Sequence, residues 1–251
     1  MLTIIGLCVA GFVAALVDSI AGGGGLISLP AFLLAGVPPQ LALGTNKFAS
    51  TAASLTSSIG YARSAKINRR LLYSLAPMTL VGAAFGVKTV IHLDQRLLQT
   101  LILILIIAVG VYSLFSRQMG LEDRFRGTDR RNLLWGMALA LGLGFYDGFF
   151  GPGTGSFLMF GLIGIYGFDF IHAGGNARVL NFVSNITALA LFAWLGKIDY
   201  RYGAPVALAM IAGAQVGTRL ALQKGVKLIK PIFVTMSLAV AAKILYGLLH
   251  G

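Results

Sequence analysis

The sequence predicts an all-α polytopic membrane protein built from two inverted repeats of about five transmembrane segments each, with helices broken at Gly-rich turns. Three observations carry this. Of the 251 residues, 57% are hydrophobic and 11% charged, with a mean hydropathy of +0.84, whereas about a quarter of the residues in a soluble domain are charged. Apolar stretches too long for a soluble core recur from one end to the other. The first half of the chain also resembles the second, anchor by anchor. Only helices and closed barrels satisfy their backbone in lipid, and the alternating strands of about ten residues that a barrel needs are missing.

Ten apolar segments follow in order, at 2–20, 24–36, 40–62, 71–92, 97–116, 133–151, 153–167, 170–195, 202–222 and 229–249. The first lacks the basic start of a signal peptide and has a counterpart in mid-chain, so it reads as a retained span. The second and seventh fall short of the roughly 20 residues a perpendicular span needs, and read as broken partners of their neighbours. One long polar stretch, RQMGLEDRFRGTDRR at 117–131, separates a first repeat (1–116) from a second (132–251) and reads as a cytoplasmic linker.

Four anchors relate the halves. Asp18 ahead of Gly22, Gly23, Gly24 and Gly25 matches Asp147 ahead of Gly151, Pro152, Gly153, Thr154 and Gly155, 129 residues later. LGTNKFAS (43–50) matches AGGNARVL (173–180), setting Asn46 against Asn176 at an offset of 130. AKIN (65–68) matches GKID (196–199), and GAAFGVK (82–88) matches GAQVGTR (213–219), both at 131. An ordered set with so little drift marks an internal repeat.

The net charge of +12 would suggest nucleic acid in a soluble protein; here it reads as cytoplasmic loops rich in Lys and Arg, with no nucleic-acid partner. Arg63, Lys66, Arg69 and Arg70 lie in one loop, and Arg117, Arg124, Arg126, Arg130 and Arg131 in the linker. Arg219, Lys224, Lys227 and Lys230 surround the loop before the last segment. If all ten segments cross, these loops share one side and both termini lie outside a plasma (bacterial inner) membrane. If 24–36 and 153–167 only dip in and return, the 219–230 loop falls on the opposite side and breaks the positive-inside pattern. An odd number of crossings per repeat makes the repeats inverted, the architecture of secondary transporters.

A helix that stops at Asp18–Gly25 and restarts frees backbone N–H groups, which with the helix dipole favour an anion. Such donors are tolerated at membrane depth only beside protein or a watery cavity. A second break at 147–155 would oppose the first and complete a cradle for a small oxyanion, lined by Gly23, Gly24, Gly25, Gly153, Thr154 and Gly155. Close helix packing is the competing use of these glycines.

The Asp-x-x-x-Gly-rich turn, the following P-x(5)-G-V-P-P-x-x-A-x-G-T-N (Pro30 to Asn46) and its looser second copy resemble the TauE/SafE sulfite-exporter family. The resemblance covers essentially the whole chain. It implies export of a small sulfur-containing anion, such as sulfite or an organosulfonate. The second copy lacks the Pro-Pro pair and has GGN for GTN.

Charged groups at bilayer depth cost about 2.5–3.5 kcal/mol each on insertion scales, so each one invites a role. Asn46 and Asn176 are candidates to donate hydrogen bonds to substrate oxygens, with Lys47 and Arg178 supplying countercharge and Asn181 on a neighbouring face. The alternative is that Lys47 and Arg178 pair structurally with Asp18 and Asp147, or snorkel. Asp18 and Asp147 are proton-coupling candidates, with helix capping as their competing role. His92, His172 and His250 sit at segment ends and share no ligand face. Lys88 and Arg219 suit snorkelling, Lys243 lies well inside the last segment, and Trp135, Trp194, Tyr200, Tyr202 and Tyr246 fit an interfacial belt. The lone Cys8 excludes an internal disulfide and a Cys-cluster metal site.

A secondary transporter is the leading function, with a passive anion channel as the alternative. An enzyme is disfavoured, since no HExxH, G-x-S-x-G or Walker pattern occurs, and no cofactor or metal is expected. The expected partners are a small anionic substrate, membrane lipid and a possible second copy of the chain.

Overall fold

The protein, represented by a computed structural model, is described over residues 1–64, 66–115 and 123–224. Every element among these residues is an α-helix: α1 (Leu2–Ala21), α2 (Gly25–Leu34), α3 (Pro39–Arg63), α4 (Arg69–Ile91), α5 (Gln95–Phe115), α6 (Arg130–Phe149), α7 (Thr154–Tyr166), α8 (Phe170–Trp194) and α9 (Tyr200–Lys224). The tenth expected segment, with Lys227, Lys230, Lys243, Tyr246 and His250, lies outside the described residues, as do Ala65 and residues 116–122 of the linker region.

By length and composition, α1, α4, α8 and α9 qualify as membrane spans. α3 is as long as α8 but more polar, because Thr45, Asn46, Lys47, Thr51, Ser54, Ser57 and Ser58 all turn inward and are buried. Leu55 and Ile59 of the same helix stay exposed, as a lipid-facing stripe should. The 10 residues of α2 and 13 of α7 reach only about 15 and 20 Å, against a hydrocarbon core of about 30 Å. Trp135, Trp194 and Tyr200 are exposed near helix ends, suiting interfacial positions.

Backbone contacts fix the helix directions. A side chain at Gly213 would strike the Phe12 carbonyl and one at Gly217 that of Leu16, so α1 and α9 run parallel. Gly82 and Gly86 meet the Leu141 and Phe145 carbonyls in the same way, so α4 and α6 are parallel. Both contacts use glycines four apart, which let two backbones touch where lipid supplies no hydrophobic drive. Gly44, early in α3, packs on the Lys197 carbonyl just past the end of α8, and Gly175, early in α8, packs on the Lys66 carbonyl just past the end of α3. The two central helices are therefore antiparallel. Thr45 and Phe48 of α3 adjoin Gly203 of α9, and Gly60 adjoins Thr218, so α3 runs with α9. α1, α3 and α9 thus point one way while α4, α6 and α8 point the other.

Helices α1–α4 measure 20, 10, 25 and 23 residues, and α6–α9 measure 20, 13, 25 and 25. The largest packing contacts are exchanged between these groups, α1 on α9 and α4 on α6. Positive segments gather at one end of the bundle. The Lys66 loop touches the start of α8, and the amides of Arg124 and Arg126 donate to the Gly167 and Tyr166 carbonyls just before it, each at 2.8 Å. The ends of α3 and α9, with Arg63 and Arg219, lie side by side there.

Candidate functional site

The two helix breaks meet. Gly22, at φ +84°, leaves no room for a Cβ, which would lie against the Ser156 amide and Gly155, while Gly25 packs on Pro152. Ser156 Oγ donates to the Ala21 carbonyl at 2.9 Å, and Tyr146 Oη to the Pro152 carbonyl at 2.6 Å, which pins both turns. Gly153 (φ +86°) and Thr154, whose Oγ1 donates to the Gly151 carbonyl at 2.7 Å, shape the start of α7.

Around this junction two ion pairs cross between the chain halves. Lys47 Nζ of α3 lies 2.8 Å from Asp147 Oδ1 of α6, with side chains only 3% and 2% exposed. Arg178 Nη1 of α8 lies 3.0 Å from Asp18 Oδ2 of α1. Arg178 is fully buried, whereas the Asp18 side chain keeps 23% exposure. Each carboxylate has further work. Asp18 Oδ1 accepts the Gly24 N–H at 3.0 Å, occupying one donor freed by the helix break. Asp147 Oδ2 accepts from Asn181 Nδ2 at 3.4 Å, and Asn185 Oδ1 accepts from Lys47 Nζ at 3.0 Å.

Among the candidate site residues, two side chains are left partly unsatisfied. The Asn46 side-chain oxygen has no hydrogen-bond partner, and neither do Arg178 Nε and Nη2. Buried donors without partners are rare, since each one forfeits its hydration for nothing. The Arg178 head sits where a Cβ on Gly155 would be, so a side chain there would displace the guanidinium. A small cavity of about 30 Å³ occupies the centre, room for about two waters at 10–15 Å³ each. Its lining includes Asp18, Asn46, Lys47, Asp147, Asn181 and Asn185, and the glycines Gly24, Gly25, Gly151 and Gly155.

Among the sequence candidates, Asn46, Lys47, Asn181, Asp18, Asp147, Gly24, Gly25 and Gly155 border this cavity, and Arg178 adjoins it through Gly155. Gly23, Gly153 and Thr154 shape the turns and do not line it. Asn176 is placed elsewhere. Its oxygen accepts the Asn68 N–H at 2.9 Å and its Nδ2 donates to the His172 carbonyl at 2.8 Å, so it ties α8 to the start of α4. Thr45 does the matching job in α3, accepting the Asp199 N–H at 2.9 Å. The register between α3 and α8 is therefore 131, not the 130 that set Asn46 against Asn176. At 131, Lys47 stands opposite Arg178. Asn185 escaped the sequence reading, although 178, 181 and 185 share one helix face just as 47, 50 and 54 do. His172, expected at an interface, donates its N–H to the capping Asp169 carboxylate at 2.7 Å, and its ring lies 3.8 Å from Asp123.

Comparison with known proteins places this geometry. The model of the family described as "Sulfite exporter TauE/SafE" matches residues 7–244. The chain belongs to this family. A relative from Haemophilus influenzae, named "Probable membrane transporter protein", is 39% identical over 236 residues, covering 94% of this chain and 92% of its own. YfcA of Escherichia coli K12, also named a probable membrane transporter protein, is 38% identical over 242 residues, 95% of this chain and 87% of YfcA. YdhB of Bacillus subtilis is 24% identical over 222 residues. No solved structure matches significantly. As a TauE/SafE family member with several membrane-length apolar helices, the chain is an integral membrane protein of a transporter family.

Proposed function

We propose that this TauE/SafE family member is a secondary transporter that exports a small sulfur-containing anion, such as sulfite or an organosulfonate, bound where the two helix breaks meet. The carrying observation is the crossed pair of buried ion pairs beside an arginine with two unused N–H donors. Two inverted five-segment repeats, 1–116 and 132–251, would form the two sides of the site. The matching helix lengths, the antiparallel α3 and α8 and the exchanged α1/α9 and α4/α6 contacts support that reading.

The central cavity has no room for an organosulfonate beside the intact pairs. An incoming oxyanion therefore takes the place of a carboxylate. Arg178 presents a planar fork suited to two oxygens, Lys47 supplies a second charge, and Asn46, Asn181 and Asn185 offer amides. The displaced Asp18 or Asp147 then needs another partner, and a proton is the smallest one, which keeps both as coupling candidates. Because each pair joins opposite halves, exchanging an aspartate for substrate unlatches one half from the other and permits rocking between two accessible states. The gathering of positive segments at one end of the bundle supports a cytoplasmic assignment for that end and an outside location for the termini.

Purified protein in liposomes tests this. Concentration jumps of sulfite, a short organosulfonate, sulfate and chloride are applied with and without a pH gradient. Saturable flux of sulfite or the sulfonate, abolished by Arg178→Gln, is the expected result. Non-saturating flux that ignores the pH gradient would favour a passive channel. Silence toward every sulfur anion from folded protein would remove the substrate assignment.

A further inference from the structure

A second polar site lies away from the crossed ion pairs, between the ends of α3 and α9. A cleft of about 480 Å³ is bordered by Arg63, Arg219, Gln215, Thr218, Ser64 and Ile59. Both arginines are exposed, and neither has a carboxylate partner among the described residues. Thr218 is 4% exposed and its Oγ1 has no hydrogen-bond partner. Thr51, Thr56, Thr79, Thr89 and Thr187 each donate to the carbonyl four residues back, which Thr218 does not; among the described residues the buried Ser19 and Ser58 hydroxyls are unpaired as well. Just beyond the arginines the same helices turn apolar, with Leu55, Ile59 and Val216 each about 40% exposed.

The 131-residue register supplies a built-in comparison. At the other end of the bundle, Arg63 is matched by Trp194, Ser64 by Leu195, Gln215 by Ala84 and Thr218 by Val87, leaving Lys88 as the one cation. The shared architecture therefore does not demand a polar, doubly cationic cleft there. Only one end has it.

We propose that this cleft binds an anionic phospholipid, its phosphate held by Arg63 and Arg219 beside the Thr218 hydroxyl and its acyl chain laid along Leu55, Ile59 and Val216. Charge complementarity favours a phosphate, and basic pockets between transmembrane helices suit such headgroups. The cleft is far larger than the central cavity, and its apolar margin is of no use to a free inorganic anion. The site is independent of what the transporter carries, so its test does not depend on finding a transported substrate.

The experiment is native mass spectrometry of the full chain in a mild detergent, titrated with phosphatidylglycerol, phosphatidylcholine or inorganic phosphate. The expected result is one tightly retained phosphatidylglycerol. Affinity should fall about fivefold in Arg63→Gln or Arg219→Gln and about 30-fold in the double variant, the effect of about one surface charge each. Lys88→Gln should leave binding unchanged. Both arginines are exposed, so their removal spares the packed helices, and thermal unfolding of each variant checks this. Equal retention by the double variant, equal retention of phosphatidylcholine, or displacement of the lipid by millimolar phosphate would each overturn the proposal. So would a wild-type protein that retains no lipid.

Discussion

Removing Lys47 tests whether the crossed ion pairs work as units. In Lys47→Met, Asp147 loses its partner at 2.8 Å and keeps only Asn181 at 3.4 Å, in a pocket where its side chain is 2% exposed. Breaking a buried pair from one side costs about 3–5 kcal/mol, because an uncompensated charge remains. Asp147→Asn strands Lys47 in the same way, with Asn185 as its nearest acceptor. Removing both charges, in Lys47→Met/Asp147→Asn, leaves no buried ion and should cost less than about 2 kcal/mol. The coupling between the sites should then be at least about 4 kcal/mol, beyond what independent sites show. Unfolding in mixed detergent micelles, followed by the fluorescence of Trp135 and Trp194, reads all four proteins. A double variant that loses the sum of the single losses would refute the pairing argument. The same double variant, folded and in liposomes, should have lost sulfite flux. Flux at the wild-type rate would show the pair to be scaffolding and sink the exchange step.

Three further outcomes are expected. Gly22→Ala should collapse the yield of folded protein, since its Cβ would strike the Ser156 amide, whereas Gly36→Ala, at a similar φ of +82° but in open space, should cost only about 1–2 kcal/mol; yields and unfolding curves distinguish them. Asn176→Ala should lower stability by about 1–3 kcal/mol by orphaning the Asn68 N–H, with KM for the transported anion unchanged. Asn46→Ala should do the reverse, raising KM with little change in stability. Arg178→Lys keeps the charge but loses the planar fork, and should raise KM at least about tenfold; an unchanged KM would remove Arg178 from the substrate site.

Much of this was legible in the residues. The all-helical membrane class follows from charge content and segment length alone, and both breaks follow from Gly runs no helix would choose. The acidic and basic residues at membrane depth also announced themselves by cost. Their pairing did not. Matching Asn46 to Asn176 by letter identity set the register one residue off and concealed that Lys47 and Arg178 occupy equivalent positions. Geometry corrects this, because Thr45 and Asn176 perform the same capping task with different side chains, and an alignment by residue type cannot see a shared task. Asn185 was missed although its spacing from Arg178 and Asn181 continues the same helix face. The Arg63–Arg219 cleft was hidden for another reason. Its walls come from helices α3 and α9, far apart in sequence, and the arginines alone read as a cytoplasmic loop residue, Arg63, and a snorkelling residue, Arg219.

The pairing of α1 with α9 has a consequence for how the chain is made. α1 finds its main partner only after α2 to α8 have been synthesised. At roughly 5–20 residues per second, the stretch between Ala21 and Tyr200 takes roughly 10–35 s to translate. Through that interval Gly11 has no α9 side chain to receive, and Asp18 waits for Arg178. By contrast α4 meets α6 within a few seconds of the linker emerging. The nascent protein is therefore lopsided, with its first-made helix waiting for α9 among the described helices. A ribosome stalled before α8 would leave α1 exposed, with its aspartate unpaired, to the membrane's quality-control proteases.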